Sequence, residues 1–218
     1  MPKTTLNKIF LAAAAVILIL AAGTVLATPA APKAQADKTV VLEYKMPAGR
    51  ALTYQSKTDE AQIMDVQGQA IDTQTGGTST FTFKSKEPKD KNFLLGVTID
   101  DITVTITSSA QGDMSPSMDA VKGKSFDMVL SPLGDEVDVS GAEAITYDIA
   151  TETRNLASGF KTYFPDLPGR PVKVGDTWPS TAGVEEKTGS MNIRVDLQYV
   201  NTLEGFETVG VGHMIWCF

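Results

Sequence analysis

The chain has 218 residues, 42% of them hydrophobic and 21% charged, so it is long enough and apolar enough to bury a substantial core. Its 26 acidic residues outnumber its 19 basic ones, which argues against a nucleic-acid partner because phosphate binding needs clustered Lys and Arg. One Cys and one His exclude a disulfide framework, a Cys/His zinc site and a two-histidine metal motif. We therefore predict no metal and no cofactor.

The first 36 residues have the pattern of an export signal. They contain no Asp or Glu, two lysines precede an apolar run from Ile9 to Ala27, and small residues suited to cleavage end at Ala27 and, better, at Ala36. As a helix the run would span about 28 Å, which is also enough for an uncleaved membrane anchor. Residues 1–36 are therefore a signal peptide or a signal anchor with a linker.

Residues 37–218 are predicted to form a single β-rich domain outside the cytoplasm, in the periplasm, in the cell envelope or beyond the cell. Loss of residues 1–36 removes three of the 19 basic residues and no acidic one, which changes the net charge from −7 to −10. Such a charge favours solubility and repels anionic membrane surfaces, so membrane contact is expected only through residues 9–27, if uncleaved. The apolar end at Phe218 resembles a strand cut short, which predicts that the domain is truncated there.

Strand signals dominate the first part of this domain, where Val, Ile, Thr and aromatic residues alternate with Gly and Pro turns. A Pro/Ala-rich spacer at residues 28–38 precedes them. In chain order we predict a hairpin of residues 39–45 and 51–57, a second hairpin of residues 61–66 and 71–74 around Gln67-Gly68, a turn at Gly76-Gly77, and a strand at residues 78–84.

The strongest alternation runs over residues 93–107. Leu95, Val97 and Ile99 share one phase, and the next three apolar residues take the opposite phase after Asp100-Asp101. A period-two pattern that slips by one residue predicts a β-bulge. The two carboxylates could instead be an acid/base couple or cation ligands, but adjacent strand residues point to opposite faces, which favours the bulge.

A further strand with apolar residues 126, 128 and 130 is predicted to end in the turn 131–135, and Val137 and Val139 to begin the return strand. The acidic residues around this turn, Asp135, Glu136 and Asp138, are expected to be solvated.

Residues 140–164 are predicted to form one long helix. Ser140 and Glu143 fit a capping box, apolar residues at 145, 149, 156, 160 and 164 recur at helical spacing, and Pro165 marks the end. Such a helix would be about 36 Å long with one apolar stripe.

The last part of the domain begins with a Pro/Gly-rich loop over residues 165–179. We expect its Trp178 to anchor the core, the alternative being a stacking surface for a sugar or a base. Met191, Ile193, Val195 and Leu197 alternate with polar residues, which predicts a strand with one solvated face.

These elements predict an α+β, mainly β fold. One helix covers a strip of about 10 Å and cannot cover a sheet of about nine strands, so the sheet must curl. We predict a curled antiparallel sheet or partial barrel with one long helix packed against it. A curled sheet can enclose an apolar cavity, here lined by residues 191–197 and the helix, although most such interiors are filled by side chains.

Motifs for catalysis are weak, and we predict no catalytic residue. Ser158 and Lys161 match S-x-x-K, and Lys187-Thr188-Gly189 matches K-T-G of penicillin-recognising serine enzymes, but the spacing is too short and no S-D-N lies between them. His213 and Cys217 lie about 13 Å apart if they are on a strand, too far to act as a pair.

Residues 167–178, LPGRPVKVGDTW, are similar to a recurring P-V-K-V-G-D-x-W element of uncharacterised secreted bacterial proteins. Residues 44–54 and 130–141 resemble the opening hairpin and the turn before the helix in the same group. The resemblance would cover most of residues 39–209, and it implies a secreted β-rich domain with no assigned activity. Residues 211–218 depart from the pattern.

Two functional hypotheses follow. The first is a non-enzymatic, exported cell-envelope domain that binds an apolar ligand or a protein partner. The alternative is a hydrolase of unknown substrate that uses carboxylates or Ser158 and Lys161.

Overall fold

The computed structural model describes residues 38–66, 68–149, 152–188, 191–209 and 212–217. Residues 1–36, with the predicted export signal, lie outside the described residues. In chain order the elements are β1 (Val40–Val41), β2 (Ala51–Val66), β3 (Gln69–Ser85), β4 (Phe93–Ser108), β5 (Gly112–Met114), β6 (Ser125–Leu130), β7 (Glu136–Asp138), a 3₁₀ helix (Ser140–Ala144), β8 (Thr146–Ile149), β9 (Glu152–Asn155), α1 (Ala157–Phe160), β10 (Pro171–Val172), β11 (Thr177–Thr188), β12 (Met191–Val209) and β13 (Gly212–Cys217).

The largest sheet is antiparallel and curls into a half-barrel, so the prediction of a mainly β fold with a curled sheet is confirmed. Its strands lie in the order β2-β3-β4-β6-β7, with β5 paired to the far end of β4. A second sheet has the order β11-β12-β13, and two short pairs, β1-β10 and β8-β9, complete the described architecture.

The predicted β-bulge lies in β4. Thr80 of β3 pairs with Asp101 and the next residue, Phe81, pairs with Ile99, so Asp100 is the extra residue. The slip keeps Ile99 and Ile102, which flank the two aspartates, on the same buried face. Both carboxylates are exposed and have structural partners: Asp100 accepts from the Thr82 hydroxyl at 2.6 Å, and Asp101 pairs with Lys122 at 2.8 Å.

One predicted hairpin and one predicted turn are wrong. Val40 and Val41 pair with residues of β10, not with β2, so the first hairpin does not form. Gly76-Gly77 is not a turn either, because β3 runs straight through it. The backbone of β4 passes so close that a Cβ on Gly77 would lie 2.4 Å from the Thr103 carbonyl oxygen. The glycine therefore allows β3 and β4 to approach closely and does not reverse the chain.

The long helix predicted over residues 140–164 is also wrong. The segment forms a 3₁₀ helix, the hairpin β8-β9 and the one-turn helix α1. In β8, Tyr147 and Ile149 are buried while their neighbours are exposed, an alternation of period two. Its β-branched residues favour this extended backbone over a helix.

The half-barrel and the second sheet have separate cores. Residues of β3, β4 and β6 pack with the 3₁₀ helix, β8 and α1 into the large core. The small core contains Leu42, Val172, Trp178 and Leu203. Trp178 is 4% exposed and its indole N–H donates to the Asp166 carbonyl at 2.7 Å, so the prediction that it anchors the core is confirmed.

The P-V-K-V-G-D-x-W segment builds the small core. Val172 lies in β10 and is buried, and the carboxylate of Asp176 accepts from the Lys173 N–H at 3.0 Å, which closes a tight turn. The turn is also bonded to β12: the Gly175 N–H donates to the Leu203 carbonyl, and the Leu203 N–H donates to the Asp176 carbonyl. The segment thus has a structural role that accounts for its pattern.

Candidate functional site

Aromatic rings occupy the interior of the half-barrel, where the sequence suggested an apolar ligand. The fully buried ring of Phe160 lies with its centroid 5.0 Å from that of Phe81 and 4.8 Å from that of Phe126. The rings meet mostly edge to face, a geometry that aromatic pairs prefer. The side chains of the large core thus fill this space themselves. The ring cluster comprises Tyr44, Tyr54, Phe81, Phe83, Phe126, Phe160, Tyr163 and Phe164.

Two recesses lie near the other end of the same sheet. The one beside Gly77 has a volume of about 10 Å³, which matches a single water. The second is open, measures about 350 Å³ and is lined mainly by polar residues such as Asp59, Glu60 and Gln74. Neither is the enclosed apolar pocket that a small apolar ligand needs.

The residues predicted to line a cavity lie in β12, in the second sheet rather than in the half-barrel. Val195 and Leu197 are half-buried there. The side chains of Met191 and Ile193 lie outside the described part of the chain. The predicted cavity against a long helix does not form, because that helix is absent from residues 140–164.

Ser158 and Lys161 lie in and directly after α1, and both are half-buried. The backbone N–H of Lys161 donates to the Ser158 carbonyl at 3.3 Å. Within the described residues, no hydrogen bond joins the Ser158 hydroxyl to the Lys161 amine. The structure places the two residues on one turn without assembling a Ser/Lys couple.

A junction joins the turn 131–136 to the segment 163–167. Tyr44 contacts both parts: its N–H donates to the Pro132 carbonyl at 2.9 Å and its hydroxyl to the Pro165 carbonyl at 3.0 Å. The Leu167 N–H donates to the Leu133 carbonyl at 2.6 Å. Because Trp178 bonds to the same segment, the junction also connects the two cores.

Glu136 lies inside this junction, which corrects the prediction that the acidic residues of the turn are all solvated. Its Oε1 accepts from the Phe164 N–H at 2.7 Å. Burial raises the pKa of the Glu136 carboxyl to about 8, and the nearby negative charge of Asp166 adds to the effect. Burial also raises the pKa of Asp166 and of Tyr199. The turn could be predicted from the sequence. The burial of the Glu136 side chain could not, because it depends on Phe164, which is 28 residues further along the chain.

The outer edge of β2 is a long, uncovered row of backbone groups. The strand has 16 residues, pairs with β3 without a register shift and contains no Pro. Among the described residues no strand pairs with its other side. At about 3.3 Å per residue the edge is about 50 Å long.

The hydrogen bonds of β3 show which residues of β2 face this edge. The Thr78 N–H and the Gly76 carbonyl both bond to hydroxyls of β4, so they point away from β2. Their partners in β2 are Lys57 and Asp59, whose own backbone groups point outward because antiparallel pairs alternate. The edge-facing residues are thus the odd-numbered ones: Ala51, Thr53, Gln55, Lys57, Asp59, Ala61, Ile63 and Asp65.

The other described sheet edges are shorter or protected. β7 has three residues, and β13 has six. β11 has 12 residues but contains Pro179, a residue that removes a donor and discourages pairing at an edge. β2 therefore forms the longest sheet edge with neither Pro nor a bulge in the described part of the molecule.

The described residues contain no group of three or more His, Cys, Asp and Glu side chains that could hold a metal ion. No described helix is long and apolar enough to span a membrane. His213 and Cys217 both lie in the strand β13. This is the arrangement for which the sequence predicts a separation of about 13 Å.

Comparison of the chain with protein families, with curated proteins and with solved structures found no match.

Proposed function

We propose that this protein is a non-enzymatic domain of the bacterial cell envelope that binds a protein partner by adding an extended segment to the outer edge of β2. The observation that carries the proposal is the length of this edge, 16 residues with neither Pro nor bulge. Exposed strand edges pair with extended chains through main-chain hydrogen bonds, and natural sheets usually block them.

The interior of the half-barrel favours a protein partner over an apolar ligand. The ring cluster occupies the interior of the curled sheet, and the larger recess is open and polar. A binding function then uses the surface or an edge, and the edge of β2 offers unpaired donors and acceptors along its whole length.

The location outside the cytoplasm is supported by the export pattern of residues 1–36. The non-enzymatic assignment is supported by the roles of the reactive side chains. Ser158 and Lys161 do not form a couple, and Glu136, whose pKa burial raises to about 8, accepts a backbone hydrogen bond inside a packed junction.

Site-specific photo-cross-linking tests the proposal. The full chain is expressed with its export signal, and benzoylphenylalanine is placed at Ala61, an exposed edge-facing position. The matched control carries the probe at Thr103, which is also exposed but lies in β4, away from the outer edge of β2. We expect a discrete protein adduct from position 61 and none from position 103.

The variant Gln55→Pro supplies the second arm. It removes an N–H that points to the edge and leaves the β2–β3 hydrogen bonds in place, a site where sheets tolerate Pro. We expect the adduct from position 61 to disappear while circular dichroism stays unchanged. An adduct that persists in Gln55→Pro, or the absence of any adduct from β2, contradicts the proposed function.

A further inference from the structure

We propose that the partner strand is β2 of a second copy of this chain, paired antiparallel about a two-fold axis at Thr58. This inference rests on the proposed function and specifies its partner. A two-fold interface uses the same patch on both subunits, so a single self-complementary strand is sufficient.

Backbone geometry limits the registers that two copies can adopt. Only odd-numbered residues direct their backbone groups to the edge, so each must face an odd-numbered residue of the other copy. Symmetric antiparallel pairing meets this condition only when the axis passes through a residue, not between two residues. An axis at Thr58 places Lys57 of each copy opposite Asp59 of the other.

Charge selects this register among its neighbours. Lys57 and Asp59 form an exposed pair, 3.0 Å apart, within one copy. With the axis at Thr58 each Lys also faces an Asp across the new pair, which stabilises cross-strand pairing. Moving the axis to Lys57 or to Asp59 sets identical charges directly opposite each other, which destabilises it.

The same register also gives nearly complete overlap of the two strands. With the axis at Thr58, Ala51 faces Asp65 of the other copy, and the intervening residues pair in turn. The edge-facing residues from Ala51 to Asp65 then all find partners. Charge complementarity and maximal overlap, two independent features of β2, thus select one register.

A disulfide test reads this register directly. At the axis the two copies of residue 58 form a pair without mutual backbone bonds, with Cα atoms about 4.5 Å apart, within the range of a disulfide. The full chain is expressed with its export signal as Thr58→Cys in a Cys217→Ser background. We expect a reducible covalent dimer on a non-reducing gel.

Glu60→Cys in the same background is the matched control. Residue 60 faces residue 56 of the other copy, so the two introduced thiols lie about 13 Å apart along the strand and cannot join. The charge-reversal variant Lys57→Asp should lower the yield of the dimer at position 58 several-fold. The double variant Lys57→Asp/Asp59→Lys should restore it.

The outcomes separate this inference from the proposed function. A dimer from position 60 but not from position 58 overturns the register. No dimer from either position, together with a Pro-sensitive adduct to a different protein from position 61, overturns the second-copy partner but leaves strand addition intact. No dimer and no adduct from β2 overturn both.

Discussion

Burial gives the Glu136 carboxyl a pKa of about 8 in the folded protein, against an ordinary value of 4.5. Between these values the folded chain keeps a proton that the unfolded chain has released. The free energy of unfolding therefore falls as the pH rises, by up to about 1.4 kcal/mol per pH unit. The stability that the protonated Glu136 carboxyl contributes is complete below pH 4.5 and is lost as the pH rises through 8.

Glu136→Gln should flatten this pH dependence. The amide oxygen can still accept from the Phe164 N–H, but the side chain no longer titrates. We expect the variant to lose less stability than the wild type between pH 5 and pH 8 in urea unfolding. The groups that face Glu136 in the junction, Asp166 and Tyr199, remain in both proteins.

Glu143→Gln is the control for this experiment, since Glu143 is exposed in the neighbouring 3₁₀ helix. It should leave the wild-type slope unchanged. An unaltered slope in Glu136→Gln would mean that the carboxyl is not the source of the pH dependence.

Strands with strong alternation were predictable from the sequence, and strand partners were not. The bulge at Asp100 follows from a local change of phase, so residues 93–107 suffice to predict it. The pairing of Val40 with Val172 depends on contacts between distant parts of the chain. The same holds for the free edge of β2, because no local pattern shows which strand of a sheet is outermost.

The predicted helix failed for a local reason. Apolar residues four positions apart share one face of a helix, and they share one face of a strand as well. Ile145 and Ile149 therefore fit both patterns. Tyr147, buried between them, fits only the strand.

The close approach in the junction makes Gly134 essential. Gly134 has φ of +105° and a Cβ there would lie 2.5 Å from the Pro165 carbonyl oxygen. Gly134→Ala should lower the free energy of unfolding by about 1–2 kcal/mol for the backbone conformation and by about 1–3 kcal/mol more for the clash.

Gly123→Ala isolates the first of these effects. Gly123 has φ of +73°, and a Cβ there meets nothing within 4 Å. Chemical denaturation of Gly134→Ala and Gly123→Ala measures the difference between their losses of unfolding free energy. Equal losses would show that the approach of the turn to Pro165 has no energetic weight.

At the scale of the whole molecule, the rings of the large core determine what the half-barrel can hold. Phe160→Ala removes a ring that is fully buried and should cost about 3–5 kcal/mol of unfolding free energy. It should also create an apolar cavity that takes up benzene or xenon, and we expect no such uptake by the wild type.

Phe206→Ala is the matched variant, since Phe206 is only partly buried beside the small core. Phe206→Ala should lower the free energy of unfolding by less than Phe160→Ala does, and it should create no cavity that takes up benzene or xenon. Uptake of benzene by the wild-type protein would show that the half-barrel already has free space.

The pairing of β1 with β10 also sets the order in which the molecule can fold. Val40 and Val172 are about 130 residues apart, so the loop that they close is costly in entropy, whereas β2, β3 and β4 pair with their neighbours in the chain. During synthesis Val40 emerges long before Val172 exists, and Leu203 follows later still.

We expect pulse-labelled hydrogen exchange to show protection in β3 and β4 before β1 and β10. Until Val172 has been made, Leu42 lacks the other buried residues of the small core, and the half-barrel must hold together without that core.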